Sequence, residues 1–438
     1  MVNSVSSTCA VNNAPNCSAL SLQQLMAELI ECAANTANSL QKKQNLPMIS
    51  QICFELASEI LNGTYQPGVY TRFAVTEPKL REIYAPAFRD RLVQCFIVKY
   101  AEPLVERHLI EDTFANRKNK GTFKAVLRAQ QFMRKPNHRY YLQLDIQAFF
   151  NSIHRPTLNQ LWQNYLAKFN LPYQTLLAEL SQKVILQSVA DYPCVLSGSK
   201  ALLKKIPKHK QLGYAKPETG LPIGSVTSQL FANFYLSFLD HFVKHELKVK
   251  GYCRYMDDLV LFADSTAQLI NWQKQIQVFL KQTLRLNLHP TKQHIQLTRQ
   301  GIIYLGFNIY ANRCYVKKYN IRKFKNYLAF FNCLLLPHNG ENIWLPDKHY
   351  WQKAYTEFRH YYWEHQITYP QVTFVYPYLK QMESVINSYL DLLAHAQHFQ
   401  LRKQIICNDF HQLSHYFIMQ DCRYSSIRVK KWVAKAIS

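Results

Sequence analysis

Apolar positions change period several times along the chain. Leu22, Leu25, Leu29 and Ala33 recur at helical spacing behind Ser21, a plausible N-cap, and predict a helix from Leu20 to about Lys43. A second helix is expected from about Pro47 to Leu61, stopped by Asn62-Gly63. Residues 64–90 then read as a hairpin whose loop carries Lys79 and Arg81. Arg89, Asp90 and Arg91 open an apolar helix through Tyr100. Another helix, to about Arg134, follows the basic turn Arg117, Lys118, Lys120, Gly121, where cations and a helix start together suit an anion. Tyr141, Leu142 and Leu144 form a strand ending at Asp145, and the chain turns into a helix with Phe149, Phe150 and Ile153. Residues 154–200 are mostly helical, and 200–219 form a basic loop. Gly220 to Gln229 is a glycine-punctuated loop leading into an apolar helix to Asp240. Tyr252 to Phe262 holds two apolar runs, the pattern of two buried strands joined by a tight turn. Residues 265–284 are an amphipathic helix, and Gly301–Ile309 alternates like a strand. This order predicts an α+β fold with helices on one face of an antiparallel sheet.

The turn in Tyr252–Phe262 carries Asp257 and Asp258. Two carboxylates lifted from an apolar sheet either cap a solvated turn or face a cation, because unpaired buried carboxylates are costly. Asp145 at a strand end is a third candidate for the same site. Two carboxylates from separate elements, with a third nearby, suit nucleotidyl transfer, which needs two divalent cations, one at the attacking hydroxyl and one at the leaving pyrophosphate. Gly220 and Gly224 are expected to let backbone approach a flat ligand, with Thr227, Ser228 and Gln229 supplying hydrogen bonds at the helix start.

Charge narrows the partner. The chain has 438 residues with 52 Lys+Arg against 28 Asp+Glu, a formal charge of +24. Such an excess points to a polyanion, with nucleic acid ahead of a membrane surface. No apolar run approaches membrane-spanning length, and the N-terminus lacks the pattern of a signal peptide. The 11 cysteines are scattered without zinc spacing and read as free thiols in a reducing cytoplasm. Beyond Arg313 the chain is basic, aromatic and helical, with a loop from Pro337 to Pro346. Its Trp351, Tyr362 and Trp363 are expected in a core. Lys317, Lys318, Arg322, Lys323 and Lys325, and farther on Arg423, Arg428, Lys430, Lys431 and Lys435, are expected to track phosphates.

Taken in order, these stretches resemble a bacterial reverse transcriptase of the group II intron-like branch. The carrying motifs are Tyr255-Met-Asp-Asp258, Leu144-Asp145-Ile146 with Phe149-Phe150, Gly220-Leu-Pro-Ile-Gly224 with Ser228-Gln229, and Leu305-Gly306-Phe307. The match covers about residues 60–312. It implies a right-hand polymerase: a helical N-terminal extension (1–62), fingers (63–139), a palm with an antiparallel sheet (140–312, with fingers-side helices 154–219), and a helical thumb with a C-terminal extension (313–438). It implies RNA template, DNA primer and product, and dNTPs as partners, and two Mg²⁺ ions, with Mn²⁺ as a substitute.

The resemblance also implies roles. Asp145 and Asp257 are the principal metal ligands, with the Ile146 carbonyl as a further oxygen and Asp258 tuning the site. Tyr255 and Met256 face the primer end. Lys79 and Arg81 hold the incoming triphosphate. Phe150 lies under its sugar and excludes a 2′-hydroxyl. Lys292 is a candidate acid for the pyrophosphate, against a plain surface lysine. Where many relatives have Gln-Gly, this chain has Ile223-Gly224, as in diversity-generating retroelement and defence-associated enzymes, which implies looser template fidelity. No maturase-type DNA-binding module or endonuclease signature is present, so an accessory protein or structured non-coding RNA is expected. Antiphage defence with a non-coding RNA template is the favoured setting. A diversity-generating retroelement enzyme, a template-poor or protein-primed DNA polymerase, and an inactive nucleic-acid-binding protein are the alternatives.

Overall fold

The computed structural model describes residues 21–36, 40–76, 79–336, 344–346, 348–365, 367, 371–396 and 398–435. The expected loose N-terminus, Glu77 and Pro78 of the first hairpin, most of the Pro337–Pro346 loop and the side chain of Lys435 lie outside the described residues.

Helices α1 (Leu22–Asn35), α2 (Leu40–Asn45) and α3 (Ile49–Leu61) come first. Ser21 caps α1 in a reciprocal box with Gln24, and Leu25, Leu29, Cys32 and Ala33 are buried, as their spacing predicts. The single helix expected to Lys43 stops at Asn35, because Thr36 turns extended. Gly63, at φ +72°, ends α3 as read. Strands β1 (Thr71–Val75) and β2 (Arg81–Ala85) make the predicted hairpin, with Arg81 in β2 rather than in the loop. Helices α4 (Phe88–His108) and α5 (Thr122–Met133) follow, then β3 (Tyr140–Ile146), α6 (Phe149–Ser152), α7 (Arg155–Leu166) and α8 (Gln174–Leu186). Strand β4 (Val195–Leu196) joins β1 in parallel, and α9 (Lys200–Lys205) occupies part of the expected basic loop.

The central sheet comes next: α10 (Val226–His241), β5 (Gly251–Tyr255), β6 (Asp258–Ala263), α11 (Thr266–Thr283) and β7 (Leu288–Leu297). Its four strands run in the order β5-β6-β3-β7, all antiparallel. Pleating splits its side chains between two cores. Leu142, Leu144, Tyr252, Leu259 and Leu261 pack with α4, α10 and α11. Tyr141, Cys253, Val260 and Phe262 pack with α5 and the C-terminal helices. Both faces are therefore covered, not one. A strand buried on both faces needs a continuous apolar run, and Leu259–Ala263 is one. Strand β7 escaped the sequence reading because Leu-His-Pro-Thr-Lys-Gln-His is polar and holds Pro290. Its place at the sheet edge tolerates both.

Strands β8 (Ile302–Tyr304), β9 (Phe307–Ile309) and β10 (Cys314–Val316) form a separate antiparallel sheet. Helices α12 (Lys318–Leu334), α13 (His349–Phe358), α14 (Val372–His395), α15 (Phe399–Asp409) and α16 (Leu413–Tyr416) continue the chain. Strands β11 (Phe417–Met419) and β12 (Ile427–Val429) pair before α17 (Lys431–Lys435), an interruption the helical reading missed. Trp351, Tyr362 and Trp363 are buried, as expected of a core.

In the basic turn before α5 each cation has a carboxylate partner. Arg117 pairs with Glu106 at 2.6 Å and caps the carbonyls of Ile110 and Thr113. Lys118 lies 3.6 Å from Glu102, and Lys120 pairs with Glu111. Among the described residues every cysteine is a free thiol, and no helix is long and apolar enough to cross a membrane.

Candidate active site

Asp258 opens β6 and stands opposite Asp145 on β3, its direct register partner. Strands β5 and β6 pair Tyr255 with Asp258, leaving Met256 and Asp257 as a two-residue turn. Such a turn requires a positive φ, and Met256 supplies it at +55°. A side chain in that region stores backbone strain, of order 1–3 kcal/mol. All three carboxylates thus meet at one end of the sheet.

Beside Asp145 the ladder breaks. Leu144 pairs with Gln293 and Ile146 with Leu288, so four residues of β7 face Asp145 alone. Pro290 sits in that arch, which carries Lys292 over the sheet end. Lys292 Nζ donates to Asp145 Oδ2 at 2.8 Å, with the lysine half exposed and the aspartate mostly covered. Lys292 therefore touches a catalytic candidate and is not a free surface lysine.

Burial and crowding shape the charges. Burial pushes the Asp257 carboxyl up, and the Asp145 charge pushes it further, while Lys292 and Arg81 pull it down. Asp258 is pushed up to about 7 by burial, then by Asp257 and Asp145, against Lys292 and Lys79. These influences place the Lys79–Arg81 edge of the first hairpin within electrostatic reach of the aspartates. An open cleft of about 620 Å³ runs from Asp145, Asp258 and Lys292 past His294 and Ile303 to Tyr310.

The Gly220–Gln229 loop is stitched to both neighbours. Leu221 N–H donates to the Phe150 carbonyl at 2.9 Å, and Tyr84 N–H to the Ile223 carbonyl at 2.8 Å. The ring of Phe150 meets Phe149 edge-on at 5.4 Å between centroids and stays part-exposed. Both glycines make close contacts with protein. A Cβ on Gly224 (φ +122°) would lie 2.6 Å from the Tyr84 carbonyl oxygen, and one on Gly220 would meet Leu212 at 2.5 Å. At the helix start Thr227 and Ser228 are buried and Gln229 is exposed, while the Thr227 hydroxyl has no partner.

The turn has a support that the sequence reading passed over. Arg254, fully buried in β5, forks onto Asp240 at 2.7 and 2.6 Å. Its Nη1 reaches Asn233 Oδ1 at 2.9 Å and the Met256 carbonyl at 3.1 Å. Asp240 also accepts from Tyr252 and Thr113. The signal was available: a lone arginine inside an apolar strand, and an aspartate ending an apolar helix, each demand a partner. Tyr255, expected at a primer end, has its hydroxyl 3.2 Å from that of Thr122.

Residues 76–309 match the family described as reverse transcriptase (RNA-dependent DNA polymerase), which spans more than half of the chain. The chain belongs to the reverse transcriptase family. Protein YkfC of Escherichia coli (strain K12) is 23% identical over 299 residues, 59% of this chain and 71% of that protein. Its presence agrees with a bacterial reverse transcriptase. Two solved telomerases are more distant. Apo telomerase from Candida tropicalis, truncated from its C-terminal domain, has a TM-score of 0.41 and 11% identity, with 61% of this chain covering 60% of that one. Telomerase from Candida albicans in complex with a fragment of telomeric RNA has a TM-score of 0.38 and 11% identity, with 85% covering 66%. The reverse transcriptase assignment rests on the family match; the α+β architecture is the right-hand polymerase fold expected of it.

Reverse transcriptases generally use divalent cations. Among the described residues no three acidic, histidine or cysteine side chains are gathered tightly enough to hold an ion by themselves. The donor set nonetheless fits one: hard carboxylate oxygens whose charges raise one another's hold on protons, a repulsion that a divalent cation relieves.

Proposed function

We propose that this chain copies RNA into DNA by nucleotidyl transfer at Asp145, Asp257 and Asp258. The observation that carries the reading is the register pairing of Asp145 with Asp258 beside the Asp257 turn, with the Asp258 carboxyl pushed up to about 7 by burial and then by its acidic neighbours. Asp145, Asp257, the Ile146 carbonyl and, in support, Asp258 would hold two Mg²⁺ ions. Those ions supply charge neutralisation at the reacting phosphate and acidify the primer hydroxyl. Lys292 keeps Asp145 oriented and presents an ammonium at the mouth of the cleft. Lys79 and Arg81 add positive charge for a triphosphate. Phe150, bonded through its carbonyl to the Gly220 loop, presents a ring to the sugar. Ile223 and Gly224 fix the floor against β2, and Gln229 lies exposed at the start of α10.

The test is primer extension on an RNA template with Mg²⁺. Wild type should extend and the Asp257→Ala/Asp258→Ala variant should not. Equal extension by both would refute the assignment. We also propose a non-coding RNA template and an antiphage setting, supported by the Ile223-Gly224 pattern and the excess of positive charge. Sequencing the DNA made in cells tests that setting; products copied at random from cellular RNA would argue against it.

A further inference from the structure

At the other end of the central sheet lies a second cleft, of about 890 Å³. Tyr140, at the start of β3, lines it. Asp145 lies five residue steps along β3 from Tyr140, roughly 17 Å along the sheet. Arg134 and Lys135 reach the cleft from the end of α5, Arg299 from the end of β7, and Arg313 from the turn between β9 and β10. All four are exposed. Among the described residues none of them has a carboxylate within ion-pair distance; a fifth cation, Arg139, is neutralised by Asp264 at 2.5 Å.

Three of the four are held in place without losing their charge. Arg134 Nε donates to the Ala311 carbonyl at 2.8 Å. The Arg313 guanidinium sits 4.9 Å above the Tyr310 ring, and Lys135 Nζ 5.4 Å above Phe132. Gln130 bonds the Tyr310 carbonyl at 2.8 Å and so ties the Arg313 turn to α5. Four like charges set side by side repel one another, and the repulsion favours an anion between them. A second, independent observation points the same way. Thr298 lines this cleft, is 5% exposed, and its hydroxyl has no hydrogen-bond partner. A buried O–H donor beside unpaired guanidinium groups fits a phosphate oxygen.

We infer that this cleft binds the phosphodiester backbone of a nucleic-acid strand outside the copying site. The cations come from three separate elements around an open cleft, which suits successive phosphates of a strand better than one small anion. The inference concerns binding alone and stands without the catalytic reading.

Fluorescence anisotropy of the full chain tests it, in EDTA and without dNTPs, using labelled 20-nucleotide RNA and DNA of one sequence. Lys135→Gln/Arg299→Gln should weaken binding at least fivefold at 100 mM salt, about, and lower the slope of log K against log salt by about 1.4 for a single strand. Thr298→Val should weaken binding about twofold with the slope unchanged, since it removes a donor and no charge. The tighter of the RNA and DNA arms names the strand. Unchanged affinity and slope in the double variant would overturn the inference. So would an equal loss in Lys204→Gln/Lys205→Gln, which removes the same charge from α9. The double variant should extend a short hairpin primer at the wild-type rate. Failure of the wild type to extend it would count against the polymerase reading and leave the anisotropy result standing.

Discussion

Arg254 Nη1 donates to the Met256 carbonyl at 3.1 Å, from a guanidinium whose other nitrogens are locked on Asp240. A buried ion pair thereby grips the one residue of the aspartate turn that sits at positive φ. Breaking such a pair from one side costs about 3–5 kcal/mol, and replacing both partners with apolar groups costs much less. We predict that Arg254→Met lowers the melting temperature sharply and that Arg254→Met/Asp240→Leu recovers most of it. The double variant should still extend primers at least tenfold more slowly, because the Met256 carbonyl has lost its donor. Wild-type kcat in a stable double variant would refute this role.

The burial of Asp258, and then its crowding by Asp257 and Asp145, makes stability depend on pH in a stated direction. Its carboxyl rises from 3.8 to about 7 on folding. Between those values the native chain holds a proton that the unfolded chain has lost, so stability falls as pH rises across that window. The effect is of order 2–4 kcal/mol and belongs to the coupled aspartates together. In EDTA, Asp258→Asn should match wild type near pH 4 and exceed it by pH 8, in urea midpoints. Mg²⁺ should close the gap at pH 8. A constant difference from pH 4 to 8 would show that Asp258 titrates normally.

Lys292 touches Asp145, which couples two roles that substitution can separate. Lys292→Met should lower kcat about a hundredfold, the low end for a proton donor. Lys292→Arg keeps the contact with Asp145 and should retain more activity than Lys292→Met. A loss in Lys292→Met that Lys292→Arg restores in full would leave the lysine with orientation alone.

Phe150→Ala should raise the use of ribonucleotides relative to dNTPs by about tenfold or more, read from kcat/KM ratios. No change in that ratio would remove Phe150 from sugar selection.

Ile223→Gln should reduce misincorporation, measured by sequencing extension products. The Ile223 backbone is already bonded to Tyr84, so this substitution changes the side chain and leaves the loop in place. Equal error rates would sink the link between Ile223 and fidelity.

The local signals that the sequence carried well were periodic ones. Leu25, Leu29 and Ala33 on α1, the run Leu259–Ala263, and Leu269, Trp272, Ile276 and Leu280 on α11 all lie buried where their spacing puts them. The meeting of Asp145 with Asp257 and Asp258 followed from motif order rather than from pattern. What stayed hidden was set by partners distant in the chain. Arg117 looked like a phosphate ligand until Glu106 closed on it. Arg254 was passed over because its partner Asp240 lies 14 residues upstream. Strand β7 borrows its ladder from β3 and needs little apolar character of its own.

Gly224 sets a rule for how this site can vary. The gap it leaves is filled by the backbone of β2, whose far end carries Arg81. The Gly220–Gln229 loop and the first hairpin are therefore one rigid piece. Any side chain at 224 would pry them apart, whereas position 223 offers its side chain freely while its carbonyl keeps the seam closed. Adjacent residues thus divide into a fixed hinge pin and a dial: a new side chain at 223 leaves the seam intact, and one at 224 breaks it.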